Sequence, residues 1–273
     1  MGNAAEDLGT DEYTGVLLPG GTANRGLIRR VADTVRRPLR PTSASTHDLL
    51  DYLDERGFDA SPRFLGIDKA GREILSFVDG EAPTEPYPDW ALTDEALASV
   101  AELLRRFHEA VKGFPAHAYR WQRDVPPRFR GDTISHNDPN LDNIIFRGND
   151  AVALIDFDLA GPGSPVWDLA LTARLWCPLR NDSDINDSRR GRTLDRLALL
   201  LDAYGASPAE RGCIVEAIID SHDWCYQLVR AQVVNRHPAF TQHWLTDGAA
   251  QRARRTTHWY QTHLTDLREA ALG

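Results

Sequence analysis

The stretch Ile134-Ser-His136-Asn-Asp138-Pro-Asn-Leu-Asp-Asn143-Ile-Ile-Phe146-Arg-Gly-Asn-Asp150-Ala-Val-Ala-Leu-Ile-Asp156-Phe-Asp158 decides the reading of this 273-residue chain. Ile144 to Phe146 and Val152 to Ile155 are apolar and rich in β-branched residues, and Arg147 to Asp150 between them is turn chemistry. The pair predicts an antiparallel hairpin with Asn143 and Asp156 at its open end, where their oxygens converge. Asp138, five residues before Asn143, falls in the loop entering the hairpin. That layout offers one carboxylate to an acceptor hydroxyl, and one amide plus one carboxylate to a magnesium ion that bridges phosphates. Asp and Asn are also ordinary turn formers, which accounts for Asn137, Asp138, Asn140 and Asp142. It does not account for Asp156, placed straight after a buried-looking strand.

Working outward, His136 to Asn143, then Ile155 to Asp158, then Gly161-Pro-Gly-Ser-Pro-Val-Trp-Asp168-Leu-Ala follow in close order. This series resembles the aminoglycoside phosphotransferase-like family of small-molecule kinases, strongly over about residues 132 to 178 and weakly over Asp33 to Pro38 and Asp59 to Gly80. The resemblance implies an α+β, protein-kinase-like fold of two lobes. By matched position it implies Asp138 as catalytic base, Asn143 and Asp156 as magnesium ligands, and His136 and Asp168 as braces of the catalytic loop. Asp158 stands where protein kinases have glycine, and no metal role is assigned to it.

Three short strands (16–19, 26–31 and 34–37), a helix over 43–56 with Leu49, Leu50 and Leu53 on one side, and two strands (64–67 and 73–78) make a small β-rich lobe. The predicted division is a loose tail over 1–12, an N-lobe over 13–80, a hinge over 81–90 and a mainly helical C-lobe over 91–273. Thr93 caps a helix with the face Leu97, Val100, Leu104, Phe107 and Val111. Ser207-Pro-Ala-Glu210 is a capping box that opens a long helix toward Asn235. Pro238 breaks the pattern, and a further helix is expected over about 246–271.

A nucleotide site needs a phosphate-binding cation, and the chain has only two lysines, Lys69 and Lys112, neither on the third strand. Arg37 is the natural substitute. Val35 shares its strand face and is placed to touch the base, while Arg36 points the other way. Phe77 and Val78 at the hinge are expected to offer backbone groups to ATP or GTP. The helix position where kinases carry a Glu holds His47, which leaves the orienting partner of Arg37 open. The turn Pro19 to Gly26 lies where a phosphate-covering loop belongs.

The formal charge of -9 disfavours nucleic acid and suits a cationic, hydroxylated small molecule. Asp182, Asp184 and Asp187, or Glu216 and Asp220, are candidates to bind its amines. No apolar run approaches a membrane span. The N-terminus lacks a signal sequence, and Cys177, Cys213 and Cys225 read as reduced thiols, so a cytoplasmic protein is expected. The expected function is transfer of a nucleotide γ-phosphate, with Mg2+, to a small-molecule hydroxyl. The alternatives are a kinase-like binding protein without catalysis, favoured by the missing lysine, and a non-haem iron oxygenase built on His136 and Asp138. The second of these needs a strand-rich barrel, whereas the sequence beyond residue 165 is patterned as helix.

Overall fold

The computed structural model describes residues 15–18, 26–236, 238–245 and 248–273. Five strands, β1 (Val16–Leu17), β2 (Arg29–Val31), β3 (Thr34–Pro38), β4 (Phe64–Ile67) and β5 (Arg72–Ser76), form one antiparallel sheet in the order β1-β2-β3-β5-β4. Helix α1 (Ser43–Glu55) lies between β3 and β4 in sequence and buries Leu49, Leu50 and Leu53. The β3–β5 register sets Arg37 opposite Glu73 and Val35 opposite Leu75. Strand alternation then sends Arg37 and Val35 to one face and Arg36 to the other. Both arginines are buried, so neither is the solvated side chain usual on a strand.

The second region is mainly helical. Thr93 accepts a hydrogen bond from the Ala96 amide and caps α2 (Asp94–Ala110), as its sequence predicts. Leu97, Val100, Leu104 and Phe107 on this helix are at most 1 % exposed. Each stabilises the fold by roughly 1.5–3 kcal/mol through burial. Two small antiparallel pairs follow: β6 (Thr133–Ser135) with β9 (Gly161–Gly163), and the hairpin β7 (Ile144–Arg147) with β8 (Asp150–Leu154). The hairpin also joins the segment leaving the sheet, because Glu81 and Phe146 exchange backbone hydrogen bonds of 2.9 and 2.8 Å. Gly80 makes that approach possible: its φ is +138°, and a Cβ there would lie 2.5 Å from the Phe146 carbonyl oxygen.

Helices α3 (Pro165–Trp176), α4 (Thr193–Tyr204), α5 (Pro208–Val234), α6 (Pro238–Leu245), α7 (Ala249–Thr262) and α8 (Leu264–Leu272) complete the chain. The capping box forms, with the Glu210 amide donating to Ser207 Oγ and the Ser207 amide to Glu210 Oε2. Two helix readings need correction. Pro238 opens α6 instead of only ending α5, because a proline at the first helical position forfeits no intrahelical bond. The single helix expected over 246–271 is two, separated at His263. The expected loose tail and most of the turn Pro19 to Gly26 lie outside the described residues. No described helix is long and apolar enough to cross a membrane.

Candidate functional site

The loop between β6 and β7 is built around Asp168, which is fully buried on α3. Its carboxylate accepts from the backbone amides of His136 (2.6 Å) and Asn137 (2.8 Å) and from His108 Nε2 (3.1 Å). His108 Nδ1 in turn meets the Tyr204 hydroxyl at 2.8 Å, tying α2, α3 and α4 to the loop. His108 thus has a clear job that its place on the edge of an apolar helix face did not announce. His136 Nε2 donates to the Ile155 carbonyl at 3.0 Å, and its Nδ1 accepts from the Asp138 amide at 3.3 Å. Burial holds this imidazole below its ordinary value, despite Asp168 and Asp156, so it is neutral. With both ring nitrogens engaged, His136 has no lone pair for iron, and the barrel that an iron oxygenase would need is absent among the described residues.

Asp138 is held by two amides. Asn140 Nδ2 donates to its Oδ1 at 2.7 Å, and Asn143 Nδ2 to its Oδ2 at 3.0 Å and to its carbonyl at 2.9 Å. Burial, reinforced by the charges of Asp156 and Asp142, pushes its carboxyl up to about 7, against the opposing pull of Asn143 and Arg174. A carboxyl poised there exchanges a proton readily near neutral pH. Asn143 follows a short turn, and the Ile155 amide donates to its carbonyl at 2.9 Å, which closes the open end of the hairpin. Asp156 comes next, in a left-handed conformation with φ +62°. The sequence places Asn143 and Asp156 together, and the structure does the same.

Arg37 reaches this end from the sheet. Its NH1 lies 2.9 Å from Asp156 Oδ1, its NH2 2.8 Å from Asp158 Oδ1 and its Nε 2.6 Å from Glu73 Oε1. Burial opposes its charge, but Asp158, Asp156 and Glu73 more than offset that and hold the guanidinium above its ordinary value. Asp158 also pairs with Arg40 at 2.5 Å. Burial, then Asp156, keeps the Asp158 carboxyl above its usual range despite both arginines. The orienting partner of Arg37 is therefore Glu73 on the neighbouring strand. His47 on α1 bonds the other Glu73 oxygen at 2.6 Å and takes the place of a direct helix carboxylate. Glu73 was legible only as a charge in an otherwise apolar strand. Val35 is half-buried against the core. The Phe77 amide donates to the Asp33 carbonyl at 2.8 Å, and Arg30 stacks over the Phe77 ring. The strand ends at Ser76, so Phe77 and Val78 lie just beyond it.

A cavity of about 490 Å3 opens from Asp138, Asn143, Asp156 and Asp158 toward α3, α5 and α6. That is ordinary size for a small-molecule site. The carboxylates expected to bind substrate amines do not line it. Asp184 pairs with Arg255, Asp187 with Arg189 at 2.7 Å, Glu216 with Arg268 at 3.0 Å and Asp220 with Arg128 at 2.6 Å. Asp182 accepts from the Gly191 amide at 3.4 Å. In an arginine-rich chain these acids are consumed locally.

Residues 114–200 match the model of the phosphotransferase enzyme family. The trifolitoxin immunity protein of Rhizobium leguminosarum bv. trifolii is 32 % identical over 271 residues, covering 94 % of this chain and 98 % of its own. Among solved structures, a choline/ethanolamine kinase family protein from Mesorhizobium loti shares 18 % identity over 98 % of this chain and 94 % of that one, with a TM-score of 0.64. An aminoglycoside phosphotransferase from Alicyclobacillus acidocaldarius shares 16 % over 89 % and 92 %, with a TM-score of 0.54. These likenesses establish the α+β, protein-kinase-like fold. The chain belongs to the phosphotransferase enzyme family and is by class a small-molecule kinase acting with a nucleotide co-substrate.

Proposed function

We propose that the protein transfers the γ-phosphate of ATP or GTP to a hydroxyl of a small molecule bound in the 490 Å3 cavity, with Asp138 as base. The observation that carries this reading is the placement of Asp138. It faces the cavity, its two oxygens are fixed by Asn140 and Asn143, and its carboxyl is pushed up to about 7. Asp138 orients the acceptor hydroxyl and takes up its proton as the oxygen bonds to the γ-phosphorus and the β–γ bridging P–O bond breaks, releasing the nucleoside diphosphate. Arg37, steered by Glu73, holds the phosphate end, and Phe77 and Val78 with Val35 meet the base. The Phe77 amide is already spent on Asp33, so the Phe77 carbonyl and the Val78 amide are the purine contacts. Residues 13–80 then form the nucleotide lobe, 81–90 the hinge and 91–273 the acceptor lobe.

The donor set fits magnesium. Asn143 donates through its nitrogen and keeps Oδ1 free of that bond, while Asp156 gives Oδ1 to Arg37 and keeps Oδ2. One amide and one carboxylate oxygen suit a metal that takes its remaining ligands from water and phosphate. When bound there, Mg2+ neutralises phosphate charge. His136 and Asp168 keep the loop in register from beneath. The name of the curated relative, an immunity protein, supports an antibiotic as one class of acceptor; amino alcohols and sugars are the others.

The test is ATP turnover against a panel of hydroxylated metabolites and antibiotics, for the wild type and Asp138→Asn. The variant should bind nucleotide and lose ~10²–10⁴-fold in transfer rate. In the wild type kcat/KM should fall on the acid side of about pH 7, as Asp138 takes up its proton. Near-wild-type turnover by the Asn variant would remove Asp138 from the chemistry.

A further inference from the structure

The acceptor end of the cavity has an electrostatic character that the net charge of the chain conceals. All four carboxylates lining it, Asp138, Asp142, Asp156 and Asp158, belong to the catalytic loop and hairpin. Away from them the described wall mixes apolar side chains, Leu171, Leu175, Trp224 and Leu228, with the uncharged polar Gln122 and Gln232. Set among these is Arg174 of α3. It makes no ion pair or hydrogen bond among the described residues, and its Nε is buried without a partner. Arg123 also lines the cavity without an ion pair among the described residues. Arg180 is close enough to Arg174 for the two charges to oppose each other. Arg37 is spent on Glu73, Asp156 and Asp158. Arg174 is near enough to Asp138 for its charge to draw that carboxyl down.

An unpaired guanidinium in a half-buried site is costly unless an anion completes it. A polyamine would bring more positive charge up to Arg174, where like charges oppose each other, and the cavity's carboxylates lie at its catalytic end instead. We propose that the acceptor is an amphiphilic hydroxy compound whose carboxylate, or an equivalent anionic group, pairs with Arg174 while its apolar body lies along α3 and α5. This inference rests on the kinase reading for the hydroxyl, and on the unpaired arginine alone for the anion. Arg174 is then a specificity-determining residue: its planar fork fixes the carboxylate and so presents the hydroxyl to Asp138.

The experiment compares matched acceptors that differ only in charge, N-benzoylserine against N-benzoylserinamide, with streptomycin and choline as cationic arms. Binding is read by calorimetry and phosphate transfer by steady-state kinetics with ATP and Mg2+, for the wild type and Arg174→Gln. The wild type should favour the carboxylate over the carboxamide by about 10- to 100-fold, the worth of one charge-assisted pair. Arg174→Gln should bring that ratio close to one. The amide arm keeps the test independent of any effect of the substitution on folding. The proposal is overturned if the two serine compounds bind the wild type equally or not at all, if the preference survives in Arg174→Gln, or if the cationic arms are favoured. It is also overturned if Arg174→Gln weakens ATP binding as much as carboxylate binding, because the arginine would then belong to the nucleotide. Arg174-dependent carboxylate binding without transfer to any acceptor would leave this inference standing and remove the kinase reading. Asp138-dependent transfer only to amines or amides would do the reverse.

Discussion

Arg37 and Arg174 are the same side chain in opposite electrostatic states. Arg37 is 6 % exposed and touches three carboxylates, one through each guanidinium nitrogen. Arg174 lines a cavity and touches none among the described residues. A guanidinium already enclosed by protein carboxylates is a fixed structural cation, and it can give a nucleotide phosphate only what Asp156 and Asp158 release. A guanidinium left without an anion has its partner missing from the chain and must find it in a ligand. Two arginines of the same charge thus divide the site into an end that the protein has balanced and an end that it has not.

The largest effect expected from this contrast is on Arg37. Arg37→Ala leaves the buried Glu73, 1 % exposed, to His47 alone and removes the cation between Asp156 and Asp158, of which only Asp158 keeps an arginine, Arg40. Breaking a buried pair on one side costs about 3–5 kcal/mol. Urea unfolding at pH 7 measures it. Arg37→Lys keeps the charge but cannot reach three acids with one fork, and should fall between wild type and Ala in both stability and nucleotide KM. A fully stable Ala variant would show that the carboxylates do not depend on Arg37, and the balanced end of the comparison would fail.

Asp138 stands between the two ends, and its pH response sharpens the comparison. Its folded value, about 7, is above the ordinary 3.8. Below pH 4 it is protonated folded or unfolded and costs nothing. Between pH 4 and 7 the unfolded chain ionises while the folded one keeps its proton, so stability falls. Above pH 7 the whole cost is present. Relative to wild type, Asp138→Asn should therefore gain about 2 kcal/mol between pH 4 and pH 8, after allowing for solvent at the cavity mouth. Unfolding free energies of both proteins at the two pH values test it; a constant difference would place Asp138 in contact with bulk water.

What the sequence revealed follows the range of the interactions. Asp138, Asn143 and Asp156 were legible because one loop and one hairpin fix their relation. That Arg37 and Arg36 face opposite ways was legible because strand side chains alternate. Glu73 was not, since its meeting with Arg37 depends on β3 and β5 pairing across a helix and another strand. The His108–Asp168–Tyr204 link joins three helices through tertiary packing alone. Asp184 read as a ligand because its partner Arg255 lies 71 residues away in the chain, whereas the partner of Asp187, Arg189, stood only two residues on and was overlooked as neighbouring charge. Arg174 drew no attention at all. A single arginine in the sequence of α3 looks like surface charge until the helix is seen to line a cavity.

The smallest expected effect is also the one that most directly tests the unbalanced end. Arg174→Met exchanges the unpaired guanidinium for an unbranched apolar side chain among Leu171, Leu175 and Trp224. Removing a half-buried charge that has no protein partner forfeits no ion pair and relieves desolvation, so stability should hold or rise by up to about 1 kcal/mol. Some packing of the arginine stem is lost, but methionine replaces most of it. Urea unfolding beside Arg37→Ala makes the contrast quantitative, a loss of several kcal/mol against none. Should Arg174→Met lose as much as Arg37→Ala, a partner within the protein already satisfies Arg174. The two arginines would then be alike, and the cavity would have no charge left to offer an acceptor.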